Sequence, residues 1–338
     1  MIEIDGALGE GGGQILRSAV ALALVTQTPV RIENIRAGRR KPGVMRQHRT
    51  ALLAAVEISG GGLVDGAIGD TTLEFHPGAV RAGDYDFRVG TAGSTTLVFQ
   101  TVLPALLLAD GPSTVRLEGG THNPWSPPFD FLSEALTPLL ARMGAKVDLS
   151  LERYGFAPAG GGVFTARIEP VRQWTSLQLE ERGETRSRTA RLVVANLPRS
   201  IAQREAKVVR ARLGWSEREV EVVELTDVTG PGNIAIASFG SEHVREVFCT
   251  FGERGVNAES VARQLGQQVR QYLKHDAPVG PHLADQLMLP MVLAGGGSFV
   301  TGPLSRHART NLEVLARFDV PKLRAEELED KRVRVRCS

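Results

Sequence analysis

Apolar residues concentrate in three helix-like stretches, over 14–25, 100–109 and 286–294, each of which begins with glutamine. The second and third stretches carry a proline at their fifth position, Pro104 and Pro290. A proline inside a helix costs about 3 kcal/mol unless the surroundings absorb it. Because the same unfavourable residue recurs at the same place, the pattern indicates one structural unit that is used more than once.

Each stretch is followed by a short strand, a polar loop and a second helix. We predict these strands over 30–35, 113–118 and 298–301. We predict the second helices over about 44–59, 129–143 and 308–318. Three such units, here units one to three, occupy about 1–80, 86–170 and 280–338. The pattern predicts an α/β fold of the α+β type, with helices and sheets in separate layers.

Residues 183–277 do not follow this pattern. A charged run over 181–188 marks a boundary. Beyond it we predict, in order, a strand, a helix, two strands and a helix, over 190–195, 201–213, 219–225, 233–239 and 260–275. We therefore predict a small domain at 183–277, inserted into a large domain formed by 1–182 and 278–338. The alternation over 332–336 predicts a C-terminal edge strand with polar outer residues.

Composition narrows the class of protein. Of the 338 residues, 42% are hydrophobic and 23% are charged, which excludes a disordered chain. No apolar run approaches the roughly 20 residues of a membrane span, and the first residues lack a secretory pattern, so we expect no membrane partner. Only Cys249 and Cys337 are present. They exclude a disulfide framework and a thiolate-rich metal site, and they favour a cytoplasmic location.

A glycine-rich segment, residues 9–14, runs directly into the first helix. Backbone N–H groups and the positive end of the helix dipole at such a place suit an anion. A simple tight turn between strand and helix explains the same residues. The chain lacks GxxxxGK[ST] and GxGxxG, which argues against a Walker-type nucleotidase and a dinucleotide fold.

A basic segment, residues 36–49, contains six cationic side chains and no acidic one. It follows the first strand after the unit-one helix and enters a second helix. Planar, bidentate arginines favour phosphate groups, so the segment indicates an anion site.

His307 lies in the equivalent loop of unit three, between Arg306 and Arg309. Neighbouring cations disfavour the imidazolium ion and leave a neutral, nucleophilic or basic ring. An ordinary surface histidine is the alternative. Asp285 and Gln286, at the start of the third stretch, suit a metal, a nucleotide or simple helix capping. The other histidines show no metal-ligand spacing and are expected to be structural or exposed.

With these motifs the chain resembles the RNA 3′-terminal phosphate cyclase family, in its histidine-containing catalytic branch. The residues that carry the resemblance are 5–6, 9–17, 36–39, 41–43, 46–48, 93–94, 103–105, 123–124, 155–162, 283–286 and His307. The resemblance implies three repeats of a two-helix, four-stranded-sheet unit, similar to enolpyruvyl transferases. It also implies a small thioredoxin-like insert domain.

The implied reaction converts an RNA 3′-phosphate to a 2′,3′-cyclic phosphodiester with ATP. A histidine first takes AMP from ATP and releases pyrophosphate. The AMP passes to the RNA 3′-phosphate, and the neighbouring 2′-hydroxyl then expels it. The implied partners are an RNA with a 3′-phosphate end, ATP and a divalent cation, Mg²⁺ or Mn²⁺.

The resemblance also implies roles for individual residues. His307 matches the nucleophile, and Glu10 matches the acid that holds the divalent cation. The nucleotide-binding positions match Gln100, His282, Leu283, Ala284, Asp285 and Gln286, with Pro127 or Pro128 beside the adenine. The phosphate-binding positions match Arg17, Arg36, Arg39 and Gln47. The chain departs from the family at His282, which replaces a tyrosine, and at Tyr154 and Ala157 in the glycine signature.

Three other functions compete with the cyclase. A non-catalytic relative in ribosome assembly would lack His307 and would not need the basic segment. An enolpyruvyl transferase on a related fold would need neither ATP nor a reactive histidine. A plain RNA-binding module would leave Glu10, Asp285 and His307 without a role.

Overall fold

The structure is a computed structural model that describes residues 1–338. It contains eight α-helices and four four-stranded sheets, which confirms the predicted mixed α/β class. No helix is both long and apolar enough to cross a membrane.

Unit one begins the chain. Its elements are β1 (Ile2–Asp5), α1 (Gly13–Thr26), β2 (Val30–Glu33), α2 (Arg46–Ser59), β3 (Gly62–Asp65) and β4 (Leu73–His76). The sheet order is β1-β2-β4-β3, with β1 and β2 parallel and the remaining pairs antiparallel. Val30 and Ile32 are fully buried and alternate with more exposed residues, so one face of the sheet packs on the helices.

Unit two repeats this arrangement. Its elements are β5 (Asp84–Arg88), α3 (Thr95–Leu106), β6 (Ser113–Gly119), a π-helical segment (Phe131–Leu136) continuing into α4 (Thr137–Arg142), β7 (Lys146–Arg153) and β8 (Gly162–Glu169). The order is β5-β6-β8-β7, and β5 and β6 are parallel. Strand β6 alternates regularly between buried and half-buried positions.

Strand β9 (Leu177–Leu179) precedes the insert. The insert contains β10 (Thr185–Ala195), α5 (Ser200–Leu213), β11 (Val220–Leu225), β12 (Gly232–Ser241), β13 (Arg245–Phe251) and α6 (Ala258–Lys274). Its sheet has the order β11-β10-β12-β13, with β10 and β11 parallel. The two helices and this sheet enclose a separate core around Leu192, Val209 and Trp215. The boundaries at 183 and 277 stay predictions.

Unit three completes the chain after the insert. Its elements are α7 (Pro281–Leu293), β14 (Gly297–Thr301), α8 (Arg306–Leu315), β15 (Leu323–Glu327) and β16 (Val333–Cys337). They join β9 in a sheet of order β9-β14-β16-β15, with β9 and β14 parallel. The three sheets of units one to three, here called the body, therefore share one strand order. Because the first two strands of each unit are parallel, the loops that follow them leave the sheet at the same end.

The prediction of a C-terminal edge strand is wrong. Strand β16 lies between β14 and β15 and pairs with both. Val333 and Val335 are buried, as the alternation predicts, but Arg334 is half-covered and meets Glu180 at 3.1 Å. Alternation shows which face of a strand is buried, whereas a neighbouring strand is seen only in the tertiary structure.

Helices α3 and α7 begin about one turn earlier than predicted. Ser94 caps α3, since its Oγ accepts a hydrogen bond from the N–H of Leu97 at 3.2 Å. Helix α7 begins with Pro281, whose missing N–H costs nothing at a first position. Pro104 and Pro290 lie inside these helices as predicted.

Candidate active site

His307 lies in the first turn of α8, where the Oγ of Ser305 accepts from the N–H of Ala308 at 3.1 Å and caps the helix. Its side chain is 52% exposed. Nδ1 lies 2.9 Å from Oε1 of Gln14 and 2.7 Å from Oε2 of Glu10. Nε2 has no hydrogen-bond partner in the protein.

Gln14 connects His307 to a buried acid. Its Nε2 donates to Oδ2 of Asp285 at 2.8 Å, so its Oε1 faces His307 as an acceptor. An acceptor opposite Nδ1 favours the tautomer with a proton on Nδ1. The lone pair then lies on Nε2, the ring atom without a protein partner.

Glu10 is held by close contacts between units one and three. Its N–H donates to Oγ1 of Thr310 at 3.1 Å. The preceding residue, Gly9, has φ +52°, and a Cβ there would overlap the same Oγ1, so this turn requires glycine. Oε1 of Glu10 accepts from Nη2 of Arg39 at 2.5 Å.

The other carboxylate oxygen of Glu10, Oε2, is buried and receives no hydrogen bond of proper geometry. A buried, unsatisfied carboxylate oxygen is costly, and a divalent cation would satisfy it. No group of three or more histidine, cysteine, aspartate or glutamate side chains is placed to cage a metal. The residues therefore fit a cation such as Mg²⁺ that uses one carboxylate and completes its shell with phosphate and water oxygens.

A cleft of about 540 Å³ opens at this point, lined by Glu10, Gly38, Arg39, Arg306 and His307. Arg39 and Arg306 supply positive charge to its walls. The cleft combines a free ring nitrogen, a carboxylate and two guanidinium groups. This combination suits the binding of a polyanion next to a nucleophile.

The other predicted phosphate-binding residues are placed differently. Arg17 lies close to Asp285 and Glu10, and burial lowers its pKa to about 10 against the opposing charges of these two acids. Nη1 of Arg36 donates to the carbonyls of Lys41 and Gly43 and braces the basic segment. Oε1 of Gln47 accepts from the N–H of Ser94 at 3.0 Å and ties unit one to unit two.

The predicted nucleotide-binding residues of α7 fall into two groups, one with polar side chains and one in the hydrophobic core. Gln286 hydrogen-bonds Gln100 across α7 and α3, and its Nε2 donates to Oδ1 of Asp285 at 3.1 Å. His282 is exposed in the first turn of α7. The side chains of Leu283 and Ala284 are buried in the hydrophobic core.

The predicted adenine-contacting prolines lie on the loop after β6. The carbonyl of Pro127 accepts from Oγ1 of Thr96 at 2.7 Å, which anchors the loop to α3. Pro127 is half-buried and Pro128 is buried. No hydrogen bond joins this loop directly to Glu10 or His307.

The pKa of His307 is lowered, the direction that the sequence predicts. The physical causes are burial and the charges of Arg17 and Arg39, which outweigh the opposing carboxylate of Glu10. The sequence neighbours are engaged elsewhere. Arg306 donates to the carbonyl of Gly9 and Arg309 to the carbonyl of Leu304. The relevant cations therefore come from unit one.

Asp285 is an unusual acid. Burial raises its pKa to about 7, against the stabilising hydrogen bonds of Gln286 and Gln14 and the charge of Arg17. Its carbonyl accepts from Nδ2 of Asn311 at 2.9 Å, and Oδ1 of Asn311 accepts from Ser18.

Gln14, Thr310 and Asn311 had no role predicted from the sequence. Gln14 directly follows the glycine run, and Thr310 lies one helical turn after His307, so both signals were present.

His48 has the structural role expected of it. The ring is buried, and its Nδ1 accepts from the N–H of Met45 at the start of α2. Burial, with the charges of Arg17 and Arg36, lowers its pKa to about 3. A Cβ on Gly13 would overlap this ring, so a glycine lets α1 begin against it.

Comparison with known proteins identifies the family of the chain. The family model described as RNA 3′-terminal phosphate cyclase matches residues 8–323. A protein of that name from Koribacter versatilis is 49% identical over 318 residues, covering 94% of this chain and 90% of the relative. One from Ectopseudomonas mendocina is 50% identical, covering 94% and 92%. One from Pseudomonas fluorescens is 46% identical, covering 100% and 98%. These matches confirm the resemblance found in the sequence, and the chain belongs to the RNA 3′-terminal phosphate cyclase family.

Proposed function

We propose that this chain is an ATP-dependent RNA 3′-terminal phosphate cyclase that works through a covalent adenylate on His307. The observation that carries the mechanism is the hydrogen-bonded series from Asp285 through Gln14 to Nδ1 of His307. It leaves Nε2 unprotonated on a side chain that lines the cleft. The names and identity of the relatives support the cyclase activity.

In the first step, Nε2 of His307 attacks the α-phosphorus of ATP. A P–N bond forms, the bond from that phosphorus to the bridging oxygen breaks, and pyrophosphate leaves. The lowered pKa of His307 keeps the ring neutral and nucleophilic at pH 7. Glu10 lies 2.7 Å from Nδ1 and stabilises the positive charge that develops on the ring.

The cations around the cleft support the same step. Arg39 and Arg306 line it, and Arg17 lies close to Glu10 and His307. Fixed guanidinium groups stabilise the negative charge on the transferred and departing phosphates without reorganising. A divalent cation on Glu10 would neutralise further charge on the polyphosphate.

In the second step, an oxygen of the RNA 3′-phosphate attacks the phosphorus of the histidine adenylate. The P–N bond breaks and an RNA–adenylate with a new pyrophosphate linkage results. In the third step, the adjacent 2′-oxygen attacks the RNA phosphorus, loses its proton and expels AMP. Adenylylation is needed because a phosphate monoester has no good leaving group.

We assign ATP to the place where α3 and α7 meet, beside Gln100, His282, Asp285 and Gln286, with Pro127 or Pro128 near the adenine. The hydrogen bond between Gln100 and Gln286 shows that these two helices meet at this place. The core positions of Leu283 and Ala284 suggest that they support the helix and do not touch ATP through their side chains.

The test is labelling with α-³²P-ATP and a divalent cation. Wild type should form an acid-labile labelled protein, and His307→Ala should not. His76→Ala is the matched control, because His76 is exposed on β4 in unit one, outside the cleft, and should label like wild type. An RNA with a 3′-phosphate should then become resistant to phosphatase only with the labelled proteins.

Two results would contradict the proposal. Label that persists in His307→Ala would place the nucleophile elsewhere. A folded wild type without label would favour the alternative of a non-catalytic assembly factor.

A further inference from the structure

Trp125 is the most exposed large apolar side chain of the protein, at 96%. Its backbone has φ +67°, a left-handed conformation that a bulky residue adopts only at a cost of order 1–3 kcal/mol. Burying an indole would normally be favourable. A strained residue that holds its ring fully in solvent suggests that the ring has a ligand.

The loop that carries Trp125 is firmly anchored on both sides. Nδ2 of Asn123 donates to the carbonyl of Ala92. On the other side, Oγ1 of Thr96 donates to the carbonyl of Pro127 at 2.7 Å. Three prolines among residues 124–128 stiffen the backbone further. The indole is therefore presented by a rigid support, which reduces the entropy lost when a ligand packs on it.

The loop also occupies a defined place relative to the active site. It follows β6, the second strand of unit two. The equivalent loops are the basic segment after β2 and the loop after β14 that leads to His307. Contacts between Arg39 and Glu10, and between Glu10 and His307, join the loops of units one and three. The contact between Gln47 and Ser94 joins unit one to unit two. With the hydrogen bond from Asn123 to the carbonyl of Ala92, this contact links the loop of Trp125 to the basic segment, and the basic segment reaches the cleft through Arg39.

The basic segment contains exposed cations that have no partner in the protein. Arg40, Lys41 and Arg46 are exposed, and none forms an ion pair or a side-chain hydrogen bond within the protein. Free cations together with an exposed aromatic ring are the combination that binds single-stranded nucleic acid. The cations follow the phosphodiester backbone, and the ring stacks on a base.

We propose that Trp125 is a stacking platform for one unpaired base of the RNA strand whose 3′-phosphate reaches His307. The proposal rests on the cyclase function proposed above. The adenine of ATP is a poorer occupant, because a mononucleotide site encloses its ligand and the indole has no surrounding wall. Trp125 would thereby help to select a single-stranded 3′ end.

The test measures binding of a fluorescein-labelled RNA with a 3′-phosphate. Trp125→Ala should weaken the RNA Kd about tenfold, and Trp125→Phe should restore most of the loss, because stacking on an aromatic ring carries about that much per base. Val256→Ala removes another exposed apolar side chain, in the insert, and should bind like wild type. Labelling by ATP without RNA should be unchanged in Trp125→Ala.

A series of RNAs with one abasic site each locates the base. The effect of Trp125→Ala should vanish for one abasic position and persist for the others. Equal RNA affinity for wild type and Trp125→Ala would overturn the proposal. Reduced labelling of Trp125→Ala by ATP alone would also overturn it, since the ring would then belong to the nucleotide site. Failure of the cyclase function itself would show separately, as an unlabelled wild type, and the RNA-binding series would still decide the role of Trp125.

Discussion

Two histidine–carboxylate pairs of equal length lie in very different surroundings. In the cleft, Nδ1 of His307 lies 2.7 Å from Oε2 of Glu10. Where the body meets the insert, Nε2 of His122 lies 2.7 Å from Oδ2 of Asp130. The pairing distance therefore does not distinguish the proposed nucleophile from the other histidine.

The second pair has no group left for chemistry. His122 is 0% exposed, its Nδ1 faces Oγ1 of Thr121 at 2.8 Å, and its ring stacks on Tyr154 at 4.4 Å. Asp130 also binds Arg191 of the insert. Burial opposes its charge, but the hydrogen bond from His122 and the charges around it lower the pKa of Asp130 to about 2.

The difference shows what the cleft adds to a common pair. His307 keeps one ring nitrogen free and half of its side chain in solvent. His122 uses both nitrogens on Thr121 and Asp130 of the body, and Asp130 in turn binds Arg191 of the insert. The proposed nucleophile is therefore distinguished by its unused nitrogen and by access to a ligand, more than by its acidic neighbour.

The largest expected effect is on stability at the buried pair. His122→Ala should lower the free energy of unfolding by about 3–5 kcal/mol, because it breaks a buried pair and removes a stacked ring. Urea denaturation measures the loss. His307→Ala is the comparison variant, because it should lose labelling by ATP with little change in the free energy of unfolding. The contrast between the pairs fails if His122→Ala is as stable as wild type.

A pH-dependent effect is expected from Glu246, another buried acid at the junction with the insert. Its Oε1 accepts from the N–H of Gly280 at 2.5 Å, just before α7. Burial raises its pKa to about 8, because Arg182 and the backbone N–H groups compensate only in part. Unlike Asp130, it has no direct cationic partner.

The raised pKa determines how stability changes with pH. Between about pH 4.5 and 8 the folded protein holds a proton that the unfolded chain has lost, so this group costs about 1.4 kcal/mol of stability per pH unit. Glu246→Gln keeps the acceptor for Gly280 and removes the titration. The two proteins should be equally stable near pH 4.5, and wild type should become progressively less stable than Glu246→Gln up to pH 8. Parallel stability curves from pH 4.5 to 9 would contradict the assignment.

The smallest effect concerns the orientation of His307. Gln14→Ala should reduce the rate of adenylylation about tenfold and leave the KM for ATP nearly unchanged, because Gln14 positions the ring and is not assigned to ATP. Single-turnover labelling measures both quantities. Gln203→Ala, at an exposed position of α5, is the control. A change in KM alone would show that Gln14 binds ATP instead.

Much of the architecture was predictable because local patterns are visible in the chain. The repeated prolines at 104 and 290 indicated two equivalent helices. In the structure these prolines lie inside α3 and α7. The place of β16 inside its sheet was not predictable, because its partners β14 and β15 are separate segments. The family resemblance named His307 and Glu10, but no local pattern showed that they touch.

By itself the sequence determined the mixed α/β class, the three helix–strand stretches and the glycine and arginine motifs, since each depends on residues close in the chain. Only the tertiary structure decided which groups act on His307. Gln14 meets Asp285 across 271 positions and His307 across 293. The cations that lower the pKa of His307 come from Arg17 and Arg39, while its neighbours in sequence bind backbone carbonyls. Electrostatic influence depends on distance in space and on burial, and neither is written in the local order of residues.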